Sequence, residues 1–252
     1  MTESAAHTPL IKAIITGHTR GLGEALAQQL LSRGIVVLGL SRARNAALAA
    51  RYAERLDEVE LDLADNQSVA AWLKSDTLQR FCAGAELVLL INNAGTVQPI
   101  GPTGTQDASA IANAVMLNVA TPLMLANAFA ATTVQAREQR IVHVSSGAAH
   151  NAFAGWSIYG ATKAALDQHA RATALDNVRG LRICSISPGA LDTDMQAEIR
   201  DSGAERFPSH AKFEDLKRNG QLGSPERVAA KMIDHLLSDE FGAMPVTDIR
   251  SL

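Results

Sequence analysis

The stretch LIKAIITGHTRGLGEALAQQLLSRG, residues 10–34, contains a strand, a turn and a helix in succession. Residues 10–16 form a short apolar run rich in isoleucine, which is typical of a strand buried on both faces of a sheet. Three glycines lie in the turn, and residues 22–34 then place leucine and alanine at helical spacing up to Gly34, a residue type that commonly ends helices. The stretch therefore predicts one strand–helix unit of a larger sheet.

The same alternation continues along the chain. Further strands are predicted at 35–41, 59–63, 86–92, 140–146 and 181–187. Helices are predicted at 43–56, 66–75, 108–133, 157–180 and 224–238. This order predicts an α/β fold, a single doubly wound parallel sheet with helices on both faces, of Rossmann type. Because no shift in composition divides the chain, we expect a loose N-terminal tail over 1–9 and one domain over 10–252.

Composition excludes several classes of function. The chain has 252 residues, is 47% hydrophobic, and carries a net charge of −3 with scattered Lys and Arg, which gives no basic patch for nucleic acid. Its beginning lacks a signal-peptide pattern, and no apolar run approaches the ~20 residues of a membrane span. Cys82 and Cys184 lie far apart without metal-ligand spacing, so we expect buried thiols and neither a disulfide nor a metal site. These features predict a soluble cytoplasmic protein without nucleic-acid or membrane partners.

Residues 190–223 depart from the strand–helix pattern. They are polar, contain Pro208 and three glycines, and follow the last predicted strand. In an open α/β sheet, ligands bind beyond the carboxyl ends of the strands, so a long irregular segment there is a candidate substrate lid. A surface loop without function is the alternative.

The glycine turn is the first candidate binding site. Gly17 permits a tight turn, Gly21 lets the backbone approach a pyrophosphate, and Gly23 allows close packing of the helix, whose N-terminus favours phosphate charge. A plain strand-to-helix turn also uses glycine. The position after the first strand favours dinucleotide binding.

The end of the second predicted strand bears on the choice of dinucleotide. An acidic residue there would accept the ribose 2′-hydroxyl of NAD, whereas Ser41, Arg42 and Arg44 occupy this region. Arg20 in the glycine turn adds a second guanidinium, a group that suits phosphate oxygens. Exposed arginines are common at helix starts, but the missing acid favours NADP(H).

Several motifs in one order give this sequence a family resemblance. They are the glycine turn, NNAG at 92–95, Asn118, Ser146, YGATK at 159–163, and PG at 188–189. Together they resemble the short-chain dehydrogenase/reductase family over nearly the whole chain. The resemblance implies hydride transfer between a nicotinamide cofactor and a small-molecule carbonyl or alcohol, in a dimer or tetramer. GWSIYGATKAALD, SRARN and PGALDTDMQ look like its sepiapterin reductase branch, whose members reduce pterin side-chain ketones and vicinal diketones.

The resemblance assigns roles to individual residues. The implied catalytic residues are Asn118, Ser146, Tyr159 and Lys163. The implied cofactor-binding residues are Gly17, Thr19, Arg20, Gly21, Leu22, Gly23, Ser41, Arg42, Asp62, Leu63, Asn93, Ala94, Gly95, Tyr159, Lys163, Pro188, Gly189, Leu191 and Thr193. Candidate substrate contacts are Ser146, Trp156, Tyr159 and the late Asp248.

Tyr159 and Lys163 are four residues apart, so they share one face of a helix with Cβ atoms about 5–6 Å apart. A free tyrosine has a pKa near 10, and an adjacent ammonium favours its phenolate. We expect Tyr159 to protonate the carbonyl oxygen and Ser146 to stabilise the charge on that oxygen. Lys163 is expected to bind ribose hydroxyls. Asn118, if it interrupts its helix, is expected to hold a water that links Lys163 to solvent.

Other roles stay open. Among the histidines, His143 is expected to be a satisfied core residue and His18 an exposed one. The apolar helix over 105–131 and the helix carrying Tyr159 predict a four-helix contact in a homodimer, with a tetramer as the alternative. An NADP-binding sensor without turnover, or a relative acting on nucleotide sugars as an epimerase or dehydratase, are alternative functions.

Overall fold

The computed structural model describes residues 9–252. The predicted tail over 1–9 therefore lies almost wholly outside the described residues. The centre of the described chain is a sheet of seven parallel strands in the order β3-β2-β1-β4-β5-β6-β7. These strands are β1 (Ile11–Thr16), β2 (Val36–Ser41), β3 (Leu56–Glu60), β4 (Leu87–Asn92), β5 (Glu138–Val144), β6 (Leu181–Ser187) and β7 (Val246–Asp248).

Helices connect the strands. They are α1 (Gly21–Ser32), α2 (Ala46–Arg51), α3 (Asn66–Leu73), α4 (Thr77–Cys82), α5 (Ala108–Val115), α6 (Thr121–Thr132), α7 (Ser157–Leu175), α8 (Asp194–Asp201), α9 (Gly203–Arg206), α10 (His210–Arg218) and α11 (Pro225–Leu237). A π turn, Met116–Ala120, joins α5 to α6, and 3₁₀ turns lie at Gly147–Ala149 and Ile249–Ser251.

Two apolar cores cover the two faces of the sheet. Side chains alternate along each strand, so Ile15 enters one core with residues of α1 and α11, while Ile14 enters the other with residues of α3, α4 and α6. Strands buried on both faces need continuous apolar sequence, and for this reason the strands could be predicted from short apolar runs. The doubly wound, Rossmann-type α/β fold is confirmed, and Cys82 and Cys184 are buried free thiols.

The stretch Ala108–Thr132 corrects one expectation. It is a continuous helical segment that is long and apolar enough, by length and composition alone, to cross a membrane. The expectation that no such apolar run exists is therefore wrong. In the fold, Leu125, Ala126 and Phe129 of this segment are buried in the core against the sheet, and this packing calls for apolar side chains on that face.

Three local predictions also differ from the structure. The third strand begins and ends three residues earlier than predicted, at Leu56–Glu60, and the short edge strand β7 and helix α4 were not predicted. Segment 190–223 is largely helical, because α8, α9 and α10 lie within it. The backbone also joins the two ends of this segment, since Gly223 N donates to Ala190 O at 2.8 Å and Asp192 N donates to Gly223 O at 3.0 Å.

Candidate active site

The glycine turn between β1 and α1 has the geometry of a phosphate cradle. Gly17 and Gly21 adopt φ values of +70° and +56°, a region that favours glycine. A Cβ atom on Gly23 would lie 1.9 Å from the carbonyl oxygen of Gly17, so no larger residue fits at this first turn of α1. Thr19 and Leu22 complete the turn. The residues present therefore fit the pyrophosphate of a nicotinamide dinucleotide at the N-terminus of a helix.

His18 lies inside this turn, and the expectation that it is exposed is wrong. Its ring is fully buried against Gly39 of β2, where an added Cβ would come within 2.5 Å of the imidazole. Its Nε2 lies 2.6 Å from Oε1 of Glu58 on β3, and the same oxygen accepts a hydrogen bond from Asn45 N at 2.7 Å. Nothing in the local sequence signals this contact, because Glu58 is 40 residues away along the chain.

The arginines near β2 have different partners. Arg42 is exposed just after Ser41, the last residue of β2, whereas Arg44 pairs with Glu60 at 3.0 Å. Arg20 was expected to add charge beside Arg42. Its guanidinium instead lies 3.3 Å from the carboxylate of Asp194 at the start of α8. Within the described chain, Arg42 is therefore the arginine of this group without an ion-pair partner.

The loop after β4 packs against the glycine turn. Asn93 Nδ2 donates to the carbonyl oxygens of Thr16 and Gly17, and the Thr16 hydroxyl accepts from the backbone N–H groups of Asn93 and Ala94 at 3.0 Å. A Cβ atom on Gly95 would lie 3.6 Å from Lys163 Nζ, so this loop links the turn to the predicted catalytic residues.

The remaining predicted cofactor residues lie along the same carboxyl edge of the sheet. Asp62 is exposed and Leu63 buried just after β3. Pro188 and Gly189 follow β6 directly. Leu191 is bridged to Gly223, and a Cβ atom on Gly21 would lie 3.3 Å from Thr193 Cγ2. The edge thus gathers residues from five loops, those after β1, β2, β3, β4 and β6.

Tyr159 and Lys163 lie on the buried face of α7, with 7% and 5% of their surfaces exposed. The expectation that the neighbouring ammonium makes the Tyr159 phenol more acidic is not met, because burial raises the pKa of this phenol, and only a hydrogen bond with Ser146 opposes the rise. Lys163 Nζ donates to Val144 O at 2.8 Å and lies 5.9 Å from the centre of the Tyr159 ring. Burial lowers the pKa of Lys163 to about 8. The ammonium retains two further N–H groups, and these are donors of the kind that ribose hydroxyls accept.

Asn118 interrupts its helix, which was the condition set for its predicted role of holding a water; that role itself stays a prediction. It lies in the π turn, is 1% exposed, and its amide is used on both sides. Oδ1 accepts from Thr96 N at 2.9 Å, while Nδ2 donates to Thr96 O at 2.8 Å and to Thr162 Oγ1 at 3.1 Å. These bonds fix Asn118 next to Gly95 and Lys163, and Thr96 and Thr162 are contacts that sequence reasoning missed.

An aromatic cluster covers Tyr159. Trp156 stacks on Phe207 with ring centres 4.5 Å apart and meets Tyr159 edge-on at 5.1 Å. Phe153 and Phe213 complete this group, which we call the aromatic cluster. Phe207 and Phe213 come from segment 190–223, so that segment contacts Trp156, which in turn meets the predicted catalytic tyrosine.

Asp248 ends β7 beside Ser187, at the same edge of the sheet. Both of its carboxylate oxygens accept hydrogen bonds from Arg250, at 2.7 and 2.8 Å. This pairing lowers the pKa of Asp248. Asp248 is thus well placed near the site but already engaged by a guanidinium.

His143, as expected, is a satisfied core histidine. It is fully buried on β5, with Nδ1 3.2 Å from Asn92 Nδ2 and Nε2 3.0 Å from His169 Nδ1. Burial, with His169 and Lys163 nearby, lowers the pKa of His143 to about 3, so its ring is neutral near neutral pH. Among the described residues, no group of three or more His, Cys, Asp and Glu side chains is arranged to hold a metal ion.

Comparison with known proteins gives one consistent result. The family model for short chain dehydrogenase matches residues 12–204. Benzil reductase ((S)-benzoin forming) from Bacillus cereus is 34% identical over 235 residues, which cover 90% of this chain and 94% of the relative. Sepiapterin reductase from Xenopus tropicalis is 31% identical over 247 residues, covering 92% of this chain and 93% of the relative.

A solved structure that is similar to this chain belongs to the same family as these relatives. A short-chain dehydrogenase/reductase from Burkholderia vietnamiensis is 50% identical and superposes with a TM-score of 0.71, covering 98% of this chain and all of the other. The fold, the order of the motifs and the sequence relatives therefore point to one family.

Proposed function

Because the chain belongs to the short-chain dehydrogenase family, we propose that it is an NADPH-dependent carbonyl reductase acting on a ketone or a vicinal dicarbonyl. A pterin side-chain ketone is a further candidate substrate, given the similarity to sepiapterin reductase. The observation that carries the proposal is the buried Tyr159 phenol, which has the Ser146 hydroxyl on one side and Lys163 on the same helix face. This is an acid, an oxyanion donor and a cation beside a dinucleotide cradle.

Bound reduced nicotinamide would supply the hydride that is added to the carbonyl carbon. Tyr159 then gives its phenolic proton to the carbonyl oxygen, and Ser146 donates a hydrogen bond to that oxygen while charge develops on it. The phenol is protonated at neutral pH, as any tyrosine is, and because burial raises its pKa further, proton transfer depends on neighbouring groups that stabilise the phenolate. The Lys163 ammonium stabilises the phenolate that remains, and Asn118 holds the neighbouring loop in place through Thr96.

The substitution Tyr159→Phe tests the proposal. We expect turnover of NADPH with benzil, other vicinal diketones or sepiapterin to fall by about 10²–10⁴-fold, since the general acid is lost while the ring remains. Binding of NADPH, measured by its fluorescence, should change little. Full turnover by the variant would contradict the proposed role of Tyr159. NADPH binding by the wild type without turnover of any carbonyl would instead support a cofactor sensor.

The preference for NADPH over NADH is proposed from the end of β2. Arg42 is exposed and unpaired in the described chain, and no acid follows Ser41 directly, so a 2′-phosphate would meet a free guanidinium. We expect Arg42→Asp to lower the NADPH/NADH ratio of kcat/KM at least tenfold. Arg44→Ala is the matched control, because Arg44 is already paired with Glu60, and it should change the ratio far less. An unchanged ratio in Arg42→Asp would refute this assignment.

Three further features belong to the proposal. Segment 190–223 serves as the substrate lid, because its Phe207 and Phe213 cover Tyr159 through the aromatic cluster. The active form is a cytoplasmic homodimer joined through α5, α6 and α7, which sedimentation at micromolar concentration can check. Asp248 contacts substrate only where its pairing with Arg250 is exchanged for a substrate amine or amide.

A further inference from the structure

A buried carboxylate lies one helical turn beyond Lys163. Asp167 is 1% exposed and Lys163 is 5% exposed, and both belong to the buried face of α7. Residues four apart on a helix are neighbours on one face. A buried charge is costly unless an opposite charge or several hydrogen bonds compensate it. Lys163 and Asp167 carry opposite charges on this buried face, and they act on each other without a direct ion pair, because Nζ of Lys163 bonds the Val144 carbonyl instead.

The surroundings of Asp167 supply few other charges. Ser185 Oγ on β6 donates to its Oδ1 at 2.7 Å, and Nε2 of His150, a half-exposed side chain, lies 2.9 Å from its Oδ2. The neighbouring thiol of Cys184 has its pKa raised to about 12 by burial and by Asp167, so it is neutral at physiological pH. Of these groups, His150 is the basic one, and its ring is half-exposed.

The surroundings of Lys163 are similarly poor in charge. Tyr159 is a protonated phenol, and His143 is a neutral imidazole because its pKa is about 3. Burial lowers the pKa of Lys163 to about 8, and the carboxylate of Asp167 opposes that decrease. The pKa of Lys163 thus lies close to neutral pH, and the negative charge of the Asp167 carboxylate favours the protonated form.

We propose that Asp167 is a positioning residue for carbonyl reduction, whose carboxylate holds Lys163 in its ammonium form and so keeps a cation beside Tyr159 during proton transfer. Asp167 touches neither the substrate nor the cofactor and acts only through Lys163. The effect on turnover rests on the proposed function, whereas the coupling between the two side chains does not.

Side-chain NMR of lysine tests the coupling directly. The chain has 6 lysines, so ¹³Cε labelling gives few signals, and the Lys163 signal is assigned by its loss in Lys163→Met. In Asp167→Asn, which keeps the shape but removes the charge, we expect the titration midpoint of Lys163 to fall by about one pH unit or more. The matched control is Ser185→Ala, which removes the hydrogen bond to Asp167 but keeps its charge, and it should leave the midpoint nearly unchanged.

Turnover gives a second readout. Lys163 is neutral above its pKa, so a lower pKa moves the alkaline limb of the pH profile of kcat to lower pH. In Asp167→Asn, reduction at pH 8 should fall about tenfold relative to pH 6, while Asp167→Glu should restore the wild-type limb. A purely structural role would instead lower kcat equally at every pH.

An unchanged Lys163 midpoint in Asp167→Asn would overturn the inference. Should that variant fail to fold, Asp167→Ser, whose smaller side chain leaves room for a water, repeats the titration with the same expected shift. A shifted midpoint in a protein whose wild type reduces no carbonyl would contradict the proposed function and leave the Lys163–Asp167 coupling established.

Discussion

The glycine turn and segment 190–223 face each other across the carboxyl edge of the sheet, but different forces hold them. Buried, directional hydrogen bonds fix the turn, from His18 to Glu58 and from Asn93 to Thr16 and Gly17. Segment 190–223 is held by the rings of the aromatic cluster, by exposed ion pairs such as Arg20–Asp194, and by a hydrogen bond from Arg206 Nε to Ile100 O at 3.0 Å.

This difference has a mechanical meaning. Moving the turn would leave buried polar groups without partners, each at a cost of about 1–3 kcal/mol, so the cofactor side is rigid before any ligand arrives. Aromatic contacts tolerate sliding and separation, because they lack fixed donor–acceptor geometry. We therefore expect the cofactor side to be preformed and the substrate side to open and adapt.

The largest expected effect is that of Gly23→Ala. The added methyl group would lie 1.9 Å from the Gly17 carbonyl, a backbone atom that cannot move away, and overpacking of this kind costs about 1–3 kcal/mol or more. The dissociation constant of NADPH, measured by fluorescence titration, should rise about 100-fold. Gly223→Ala is the control, since its Cβ would lie 3.0 Å from the flexible tip of Leu191 and otherwise make ordinary contacts, at 3.6 Å, with Ala190 O and Val228 Cγ2. Similar losses in both variants would contradict the contrast between a rigid and an adaptable side.

Phe207→Ala should have the largest effect on stability. Phe207 is fully buried, and removing such a ring costs about 3–5 kcal/mol. Because the ring joins segment 190–223 to Trp156, we expect the loss to appear as local opening. Amide hydrogen exchange should accelerate in α8 and α10 while the amides of β1 and β4 keep their protection. Uniform acceleration over the whole sheet would show that the segment is part of the global core.

Glu58→Gln probes the rigid side. Gln keeps the shape of the side chain but weakens the buried bond to His18 and the bond from Asn45 N, so the free energy of unfolding should fall by about 1–3 kcal/mol. Urea denaturation measures this change. Exchange in α8 and α10 should not change beyond the global effect, and a selective loss of protection there would mean that the two regions are coupled.

Asp194→Asn should have the smallest effect. The Arg20–Asp194 pair is exposed, with 67% and 74% of the side chains accessible, and such pairs are worth about 0–1 kcal/mol. We expect no measurable change in melting temperature and a modest change in NADPH affinity at low salt, because Arg20 is then free to meet phosphate. A large loss of stability would show that this ion pair holds the two regions together.

The features that could be predicted from the sequence are local patterns, whereas contacts between distant residues could not be predicted. The strands, the glycine turn and the Tyr159–Lys163 pair are local patterns, so their positions were predictable. The partners of His18 and Arg20 lie 40 and 174 residues away, and no single-chain pattern reports such contacts. The helices of segment 190–223 were missed because their few apolar residues, such as Ile199 and Phe213, are too sparse to give a clear helical spacing.

The π turn at Met116–Ala120 makes the position of Asn118 depend on the exact number of residues in its helix. A turn of this kind holds one residue more than the α-helical turn it replaces, so removal of one residue would restore the regular α-helical spacing. Deleting Val119 would rotate α5 by about 100° relative to α6 and carry Asn118 away from Thr96. The number of residues in this helix therefore fixes the position of Asn118, and a helix shorter by one residue here should lose the hydrogen bonds between Asn118 and Thr96.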